Sequence, residues 1–587
     1  MPFSAAVLCV LLAIMFFVLV KEWLPAEMTV FSTLALLIVS GILPAGEALS
    51  GFSNTSVHTV ALLFIAGAAV SKSGLIQDAA GRFLSRSRTV PGALFRIMVP
   101  VSTASAFINN TPLVTLFLPF LQKWAIENRI QPSKVLIPLS YASILGGTIT
   151  LIGTSTNLLV NGLMIERGGE GFHLFSFSVI GVPIAAAGIL YMIVFGHRLL
   201  PDRSHNIQLF EEEEHLHIHY YEVLKDSPLA GKTVTEALLR NLNHLFLIEI
   251  IRGDKVKTPA ANDEVVQAGD LLVFSGDPQK ALPSVHLLGL KPWPAGPSSH
   301  SERKGSGLFE VGIPPGSFLV NKRIKDIHFR SRYQAVIVGV KRKGELISSG
   351  FGSLTAAPGD TFILLARQGF GEIWAGSDDF YFISSSAAAK NSRRQKLSVS
   401  LILAGFIICS LIQAAPIYHL ALLAAALIIA TGTLSFSEAL KAVNWRIIIL
   451  MGSSIGLGKA IESTGLASQA ASFLLKWQDE LSLLGIICIY YLLTMLMTEI
   501  LNNLATASLM FPIGYTMAES LQIDPAMFAM LTAVAASCSF LTPIGYQTNL
   551  LVYGPGGYRF TDYMRVGLPL SFISMAAAIT MLYIRWL

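Results

Sequence analysis

The chain has 587 residues, of which 53% are hydrophobic and only 13% charged, and many of its apolar runs approach the length that spans a bilayer core, roughly 20 residues. This is the composition of a polytopic α-helical membrane protein; no Ser/His/Asp or Cys/His constellation is concentrated where a soluble active site could form, so it does not read as an enzyme. The formal net charge of +5 sits in loops and reads as topology information, with no nucleic-acid partner implied, and Cys9, Cys409, Cys488 and Cys538 have neither disulfide-framework nor zinc-ligand spacing.

The first apolar run, Phe3 to Val20, has no basic residue before it and no small-residue cleavage site, so it is expected to be a retained helix. Further apolar segments fall near 28–43, 57–71, 94–121, 135–162 and 175–200, and the series resumes near 398–413, 417–434, 446–461, 483–513, 527–553 and 564–585. Landmarks recur between the two series at nearly constant offset. Asn109, Asn110 and Pro119 match Asn502, Asn503 and Pro512 at 393; Glu47-Ala48-Leu49 matches Glu438-Ala439-Leu440, and Gly74-Leu75 matches Gly465-Leu466, at 391; Thr156-Asn157-Leu158 matches Thr548-Asn549-Leu550 at 392. A duplicated membrane domain is the simplest account, with repeats at 1–204 and 390–587.

The stretch TASAFINNTPLVTLFLPF, Thr103 to Phe120, places two adjacent amides in an otherwise apolar run, and TEILNNLATASLMFP, Thr498 to Pro512, repeats the pattern. A buried amide without partners costs roughly 2–7 kcal/mol, so these asparagines need a structural or functional partner. The 28 residues from Leu94 to Leu121 suit one kinked helix or two half-depth helices. Pro112 and the polar tip favour the second, a re-entrant hairpin.

With each hairpin counted as non-crossing, each repeat crosses five times, which inverts the second relative to the first. An outside N-terminus then puts Lys21, Lys72, Arg82, Arg86, Arg88, Arg96, Lys123, Arg129, Lys134, Arg198, Arg203, Lys441, Arg559 and Arg565 inside, and Arg167, Lys459, Lys476 and Arg585 outside. Glu47, Glu166, Glu170, Glu462, Asp479, Glu480, Glu519 and Asp524 crowd the outer side. The expectation is ten crossings in the cell (inner) membrane, both termini outside, and a cytoplasmic insert over 205–395.

That insert is charged, with short β-rich runs such as Leu245 to Ile251 and Leu271 to Phe274. It is itself duplicated: Lys232, Arg252 and Gly269-Asp270 recur as Lys322, Arg342 and Gly359-Asp360 at offset 90. Two α/β modules, 205–291 and 307–389, are expected around a Pro/Gly/Ser-rich joint at 292–306, and Lys390, Arg393, Arg394 and Lys396 form a basic tether back to the membrane. His215, His217 and His219, after Glu211 to Glu214, read as a solvated strand face rather than a metal site. GSSIGLGKA, Gly452 to Ala460, has the wrong spacing for a phosphate loop.

After each Asn-Asn segment a membrane run is interrupted again, by GGTITLIGTSTNLLVN (Gly146 to Asn161) and by SCSFLTPIGYQTN (Ser537 to Asn549). Unwound backbone at membrane depth is tolerated where it is buried in protein or lines a cavity. Its freed carbonyls and hydroxyl or amide oxygens suit a hard cation such as Na⁺, and half-helix N-termini suit an anion. Small residues packing helices closely would account for the glycines but do not predict paired asparagines at matched positions. Glu499, the one carboxylate well inside a predicted hairpin, is either a coupling acid or a brace; its counterpart Ala106 carries no charge.

At these motifs the sequence resembles the divalent anion/sodium symporter family, whose hairpin tips carry a Ser-Asn-Thr signature. The likeness covers both membrane halves. It is greatest for the branch with two TrkA C-terminal (RCK_C-type) modules between the halves, matched by Pro228 to Gly276 and Pro315 to Ala366, and by the NNTP tip, the GTSTNL run and the SYxSILGGT lead-in. The resemblance implies an elevator-type homodimer with Na⁺ between each tip and its broken helix and an anion bridging the tips. Carried over, Na⁺ would meet Asn109, Asn110, Gly153, Thr156 and Asn157 in one repeat and Asn502, Asn503, Gly545, Thr548 and Asn549 in the other; the anion would meet Asn110, Thr111, Thr154, Ser155, Asn503, Thr542 and Pro543. Here Ser of the signature is Asn at both tips and its Thr is Leu504 at the second. The lost hydroxyl favours a compact oxyanion such as sulfate over a C4 dicarboxylate held at both ends. The modules are expected to bind a small regulatory ligand. A cation/proton or oxyanion antiporter centred on Glu499 is the alternative; a channel is disfavoured, since no potassium-pore signature is present.

Overall fold

The computed structural model describes residues 3–21, 23–75, 89–128, 130–202, 218–239, 245–253, 255–257, 260, 263–276, 288–293, 306–314, 317–342, 345–347, 351–367, 369–374, 377, 379–384, 393–476 and 481–586. The readings made on Arg82, Arg86, Arg88, Arg129, Arg203, Glu211 to Glu214, His215, His217, Lys390, Asp479, Glu480, the side chain of Lys123 and most of the 292–306 joint lie outside these residues. The chain divides into two compact units. One is Met1–Pro201 with Lys390–Val552 and Arg559–Leu587; the other is Asp202–Ala389 with Tyr553–Tyr558.

The first unit is helical and runs in two series. The first comprises α1 (Phe3–Val20), α2 (Ala26–Val39), α3 (Ala45–Leu49), α4 (Thr55–Ser73), α5 (Val90–Ser105), α6 (Asn110–Glu127), α7 (Leu136–Gly147), α8 (Ser155–Glu166) and α9 (Ser178–Tyr191). The second comprises α10 (Arg393–Leu411), α11 (Ile417–Ala430), α12 (Phe436–Ala442), α13 (Trp445–Ser463), α14 (Leu466–Leu475), α15 (Leu483–Ile500), α16 (Asn503–Ser520), α17 (Pro525–Ser537), α18 (Gln547–Tyr553) and α19 (Phe560–Trp586). Glycines in the left-handed conformation stop matched helices in both series: Gly74 (φ 75°) ends α4 and Gly465 (φ 72°) follows α13.

Each Asn-Asn segment is two helices, and both partners pack on one short helix, α5 and α6 on α7, α15 and α16 on α17. A single rod would not lay both its ends along a helix of 12 or 13 residues. The arms are longer than half-depth, however: α5 has 16 residues and α6, α15 and α16 have 18 each. They continue past the apolar run into polar turns that end at Glu127 and Ser520, where the sequence no longer signals membrane.

By length and composition, five helices among the described residues could each cross a bilayer, or six if the pair α12 and α13, bent by 54°, counts as one span. That falls short of the ten full-length crossings expected. Helices such as α2 and α11 are apolar but only 14 residues long, cut off by Gly41 and Gly432 at positive φ. Lys459, read as an outer-loop residue, lies instead inside α13. It pairs with Glu166 (2.6 Å), and Arg167 pairs with Glu462 (2.7 Å), so four residues assigned to one side do meet one another.

The second unit holds two five-stranded antiparallel sheets, ordered β3-β2-β4-β1-β5 and β10-β6-β9-β7-β8. The first is built from β1 (Ile218–Val223), β2 (Leu245–Arg252), β3 (Lys255–Lys257), β4 (Leu271–Gly276) and β5 (Leu290–Pro292). The second is built from β6 (Ser306–Gly312), β7 (Ala335–Arg342), β8 (Glu345–Ile347), β9 (Thr361–Arg367) and β10 (Tyr381–Ser384). The offset of 90 extends to irregularities: β2 shifts register between Leu247 and Glu249, and β7 between Ile337 and Gly339. Arg252 holds Asp270 through Nε and Nη2, both at 2.7 Å, and Arg342 holds Asp360 at 2.7 and 2.5 Å. Each carboxylate raises the pKa of its arginine further. Ile248, Val336, Val338, Ile363 and Leu365 bury an apolar seam shared by the two sheets.

Candidate functional site

The asparagines sit where helices begin. Asn109 precedes α6 and its Oδ1 accepts from Thr111 N (3.4 Å); Asn502 precedes α16 and its Oδ1 accepts from Ala505 N (2.8 Å). Both are N-caps, a role asparagine performs well because its short carbonyl reaches the unsatisfied N–H groups of the first turn. Asn109 Nδ2 also reaches Ser155 Oγ (3.4 Å), which brings the start of α6 to the start of α8.

The second asparagine of each pair is organised by a hydroxyl five residues earlier. Ser105 Oγ, with one proton to give, lies 2.6 Å from Asn110 Oδ1 and 2.8 Å from Ser143 O. At offset 393, Thr498 Oγ1 donates to Ala536 O (2.6 Å) and lies 2.9 Å from the Asn503 amide. The amide orientation that satisfies its neighbours turns Asn503 nitrogen toward Thr498 Oγ1, Ala536 O (3.2 Å) and Gly545 O (3.2 Å). Asn110 packs against Gly147, where a Cβ would come within 2.8 Å of its Oδ1. Its Nδ2 donates to Tyr546 OH (2.5 Å), a residue of the other series.

The breaks after α7 and α17 are clamped alike. Asn157 Nδ2 reaches Thr150 O (2.9 Å) and Gly147 O (3.4 Å); Asn549 Nδ2 reaches Thr542 O and Ser539 O, both at 3.1 Å. The carbonyl oxygens of the two amides differ. Asn549 Oδ1 accepts from Ser140 Oγ (2.7 Å), which also bonds Thr548 Oγ1 (2.8 Å). Among the described residues Asn157 Oδ1 is buried with no hydrogen-bond partner, and the position equivalent to Ser140, at offset 393, is Ala533. A buried amide oxygen left without a hydrogen-bond donor is of the kind that a hard monovalent cation such as Na⁺ could use.

Glu499 ends α15 and is 7% exposed. Its carboxylate accepts from the backbone N–H groups of Phe540 (2.8 Å), Leu541 (2.9 Å) and Thr542 (3.0 Å). In the first repeat the N–H groups of Thr148 and Ile149, equivalent to two of these, bond helix carbonyls at Leu145 and Gly146 instead. Accordingly α7 runs to Gly147, whereas α17 stops at Ser537, two residues short of the matching position. Thr542 Oγ1 also bonds Glu499 O (3.3 Å), as Thr150 Oγ1 bonds Ala106 O.

Of the other expected site residues, Thr111 Oγ1 meets Gln547 Oε1 (3.1 Å), Thr154 Oγ1 meets Tyr546 OH (3.4 Å), and Leu504 is buried with no polar group to offer. Thr156 is buried at the start of α8, Pro543 is buried in the second break, and Gly153 lies where a Cβ would come within 2.6 Å of Gly147 O. Ser105, Ser140, Thr498, Tyr546 and Gln547 were not singled out from sequence. Ser105 with Thr498 at offset 393, and Thr154 with Tyr546 at 392, were the available signals.

The citrate transporter family model matches residues 14–535. An uncharacterized transporter of Synechocystis sp., sll0640, is 35% identical over 97% of this chain and 95% of its own length. A putative sulfur deprivation response regulator of Chlamydomonas reinhardtii is 32% identical over 96% and 98%. The probable sodium/sulfate cotransporter 3 of the same alga is 22% identical over 96% and 87%.

Proposed function

The chain belongs to the citrate transporter family, and we propose on that footing that it is a secondary active transporter coupling inward Na⁺ movement to uptake of a compact divalent oxyanion, sulfate first. The observation that carries this reading is the twice-built site. In each series an asparagine at a helix start, held by a hydroxyl five residues before it, lies beside a second break clamped by another asparagine. Helix starts of α6, α8 and α16 offer N–H donors to an anion, while break carbonyls and Asn157 Oδ1 offer oxygen to Na⁺. Asn109 and Asn502 then act as caps. Na⁺ would be held by Asn110, Gly153, Thr156 and Asn157, and by Asn503, Gly545, Thr548 and Asn549; the anion by Asn110, Thr154, Ser155, Asn503 and the Thr542-Pro543 turn.

The similarity to a sodium/sulfate cotransporter supports the ion pair, and Leu504, which cannot hydrogen-bond, supports a compact anion over a dicarboxylate. We read the helix order as an inverted repeat working by an elevator motion in a homodimer of the inner membrane, both termini outside. The insert we read as cytoplasmic tandem RCK_C-type modules that bind a small ligand and bias the transporter between states. Glu499 we read as the anchor of the second break, since three backbone donors converge on it.

The test is uptake of labelled sulfate into proteoliposomes with and without an inward Na⁺ gradient, with succinate and citrate as competitors. Na⁺-driven sulfate uptake, lost in both Asn110→Ala and Asn503→Ala while the proteins still insert, is the expected result. Normal uptake in both variants would end this reading, and Na⁺-driven succinate or citrate uptake without sulfate would replace the substrate.

A further inference from the structure

Positions 154 and 546 are related by the offset of 392 that also links Thr156 to Thr548 and Asn157 to Asn549. They are equivalent places in the duplication, and their side chains meet, Thr154 Oγ1 lying 3.4 Å from Tyr546 OH. Two equivalent positions can touch only where the repeats face one another, so this contact marks the middle of the site. At that midpoint the symmetry is broken, with a threonine on one side and a tyrosine on the other.

The consequences reach the neighbouring asparagines. Asn503 turns its nitrogen to carbonyls of its own series, whereas Asn110 crosses the midpoint and donates to the Tyr546 hydroxyl at 2.5 Å. A phenol that accepts from an amide keeps its own proton to give. Among the described residues the other partner of this hydroxyl is Thr154, 3.4 Å away, where a hydrogen bond is weak. The hydroxyl is therefore a directed, underused donor among helix N-termini. Its ring fills space that the equivalent threonine would leave open, and Leu504 supplies no hydrogen bond at the second tip.

We propose that the Tyr546 hydroxyl is a direct ligand of the transported anion and that its ring sets the size limit of the site, admitting a tetrahedral oxyanion and excluding a linear C4 dicarboxylate. This rests on the anion-symporter reading above. Bound anion would draw the phenol proton away from Thr154 into a charge-assisted bond, while Asn110 continues to orient the oxygen.

Two variants test it in proteoliposomes under a Na⁺ gradient, with KM and kcat determined separately. Tyr546→Phe keeps the ring and removes the donor; sulfate KM should rise about tenfold, with half-saturation by Na⁺ unchanged. Tyr546→Thr removes the ring; succinate, excluded by the parent, should become a competitor and a substrate. An unchanged sulfate KM in the first variant overturns the ligand role. Continued exclusion of succinate by a Tyr546→Thr protein that still carries sulfate overturns the size limit, as does succinate transport by the parent. Should the parent carry citrate and no sulfate, the oxyanion substrate falls, and the KM of Tyr546→Phe for citrate decides the ligand role by the same criterion.

Discussion

Replacing Glu499 by glutamine separates a carboxylate that carries protons from one that holds backbone. Oε1 accepts two N–H groups, from Phe540 and Leu541, and Oε2 accepts a third from Thr542. Glutamine retains one acceptor oxygen and turns an NH₂ toward whichever donor the other oxygen served. One buried N–H is left without a partner, which costs about 1–3 kcal/mol, and the remaining bonds lose their charge assistance, which brings the total to about 2–4 kcal/mol. The break after α17 should loosen, and with it the Tyr546 and Asn549 positions. The purified Glu499→Gln protein should show a lower melting midpoint by fluorescence-detected size exclusion, and sulfate uptake reduced by a similar factor at pH 6 and pH 8. A variant that melts with the parent but loses all response to a pH gradient would refute the brace and return Glu499 to the antiporter mechanism.

Gly147→Ala should lower uptake at least tenfold without preventing insertion, because the added Cβ lies 2.8 Å from Asn110 Oδ1; Gly67→Ala, with nothing within 4 Å, is the control. Ala533→Ser would supply Asn157 Oδ1 with the hydroxyl that Ser140 gives Asn549, and should raise half-saturation by Na⁺ several-fold while leaving sulfate KM at saturating Na⁺ unchanged. In the second unit, Arg342→Ala strands Asp360, which is 2% exposed, and should cost about 2–3 kcal/mol; the figure stays low because the arginine keeps 30% of its surface in solvent. Tyr333 donates to Asp379 (2.9 Å), and burial raises its pKa above the ordinary 10.0. The raised folded-state value means its contribution is complete below about pH 10 and is lost as pH rises beyond, so alkaline unfolding should be less steep in Tyr333→Phe.

The helix breaks were legible because glycine, proline and asparagine are costly inside a membrane helix, so each had to mark an interruption or a partner. The recurring Arg and Asp of the insert marked its duplication in sequence, and the structure adds the physical reason: a buried carboxylate needs its cation, and both copies keep the 18-residue spacing that brings Arg252 to Asp270 and Arg342 to Asp360. What stayed hidden is interaction across the duplication. A constant offset says which positions are equivalent but not which of them cross the midpoint, so the Asn110 to Tyr546 bond had no signature of its own. Nor does sequence reveal backbone donors as partners, and for that reason Glu499 could be read equally as carrier or brace. Arm length was missed because hydropathy ends before the helix does.

Among the departures from the correspondence between the two series, three bear on how a twice-built site could handle one anion. Thr111 faces Leu504 in the correspondence, Thr154 faces Tyr546, and Ala106 faces Glu499. Asn110 and Thr154 both meet the Tyr546 hydroxyl, while the second tip is apolar at 504 and its break is tied down by Glu499. A symmetric pair of tips would hold a symmetric dianion equally from both ends. An asymmetric pair binds tightly from one end and closes off the other, which suits a small tetrahedral ion that needs several donors within one coordination shell. On the proposed reading, the correspondence between the repeats would serve the motion and the cation sites, and selectivity would reside in the residues that break it.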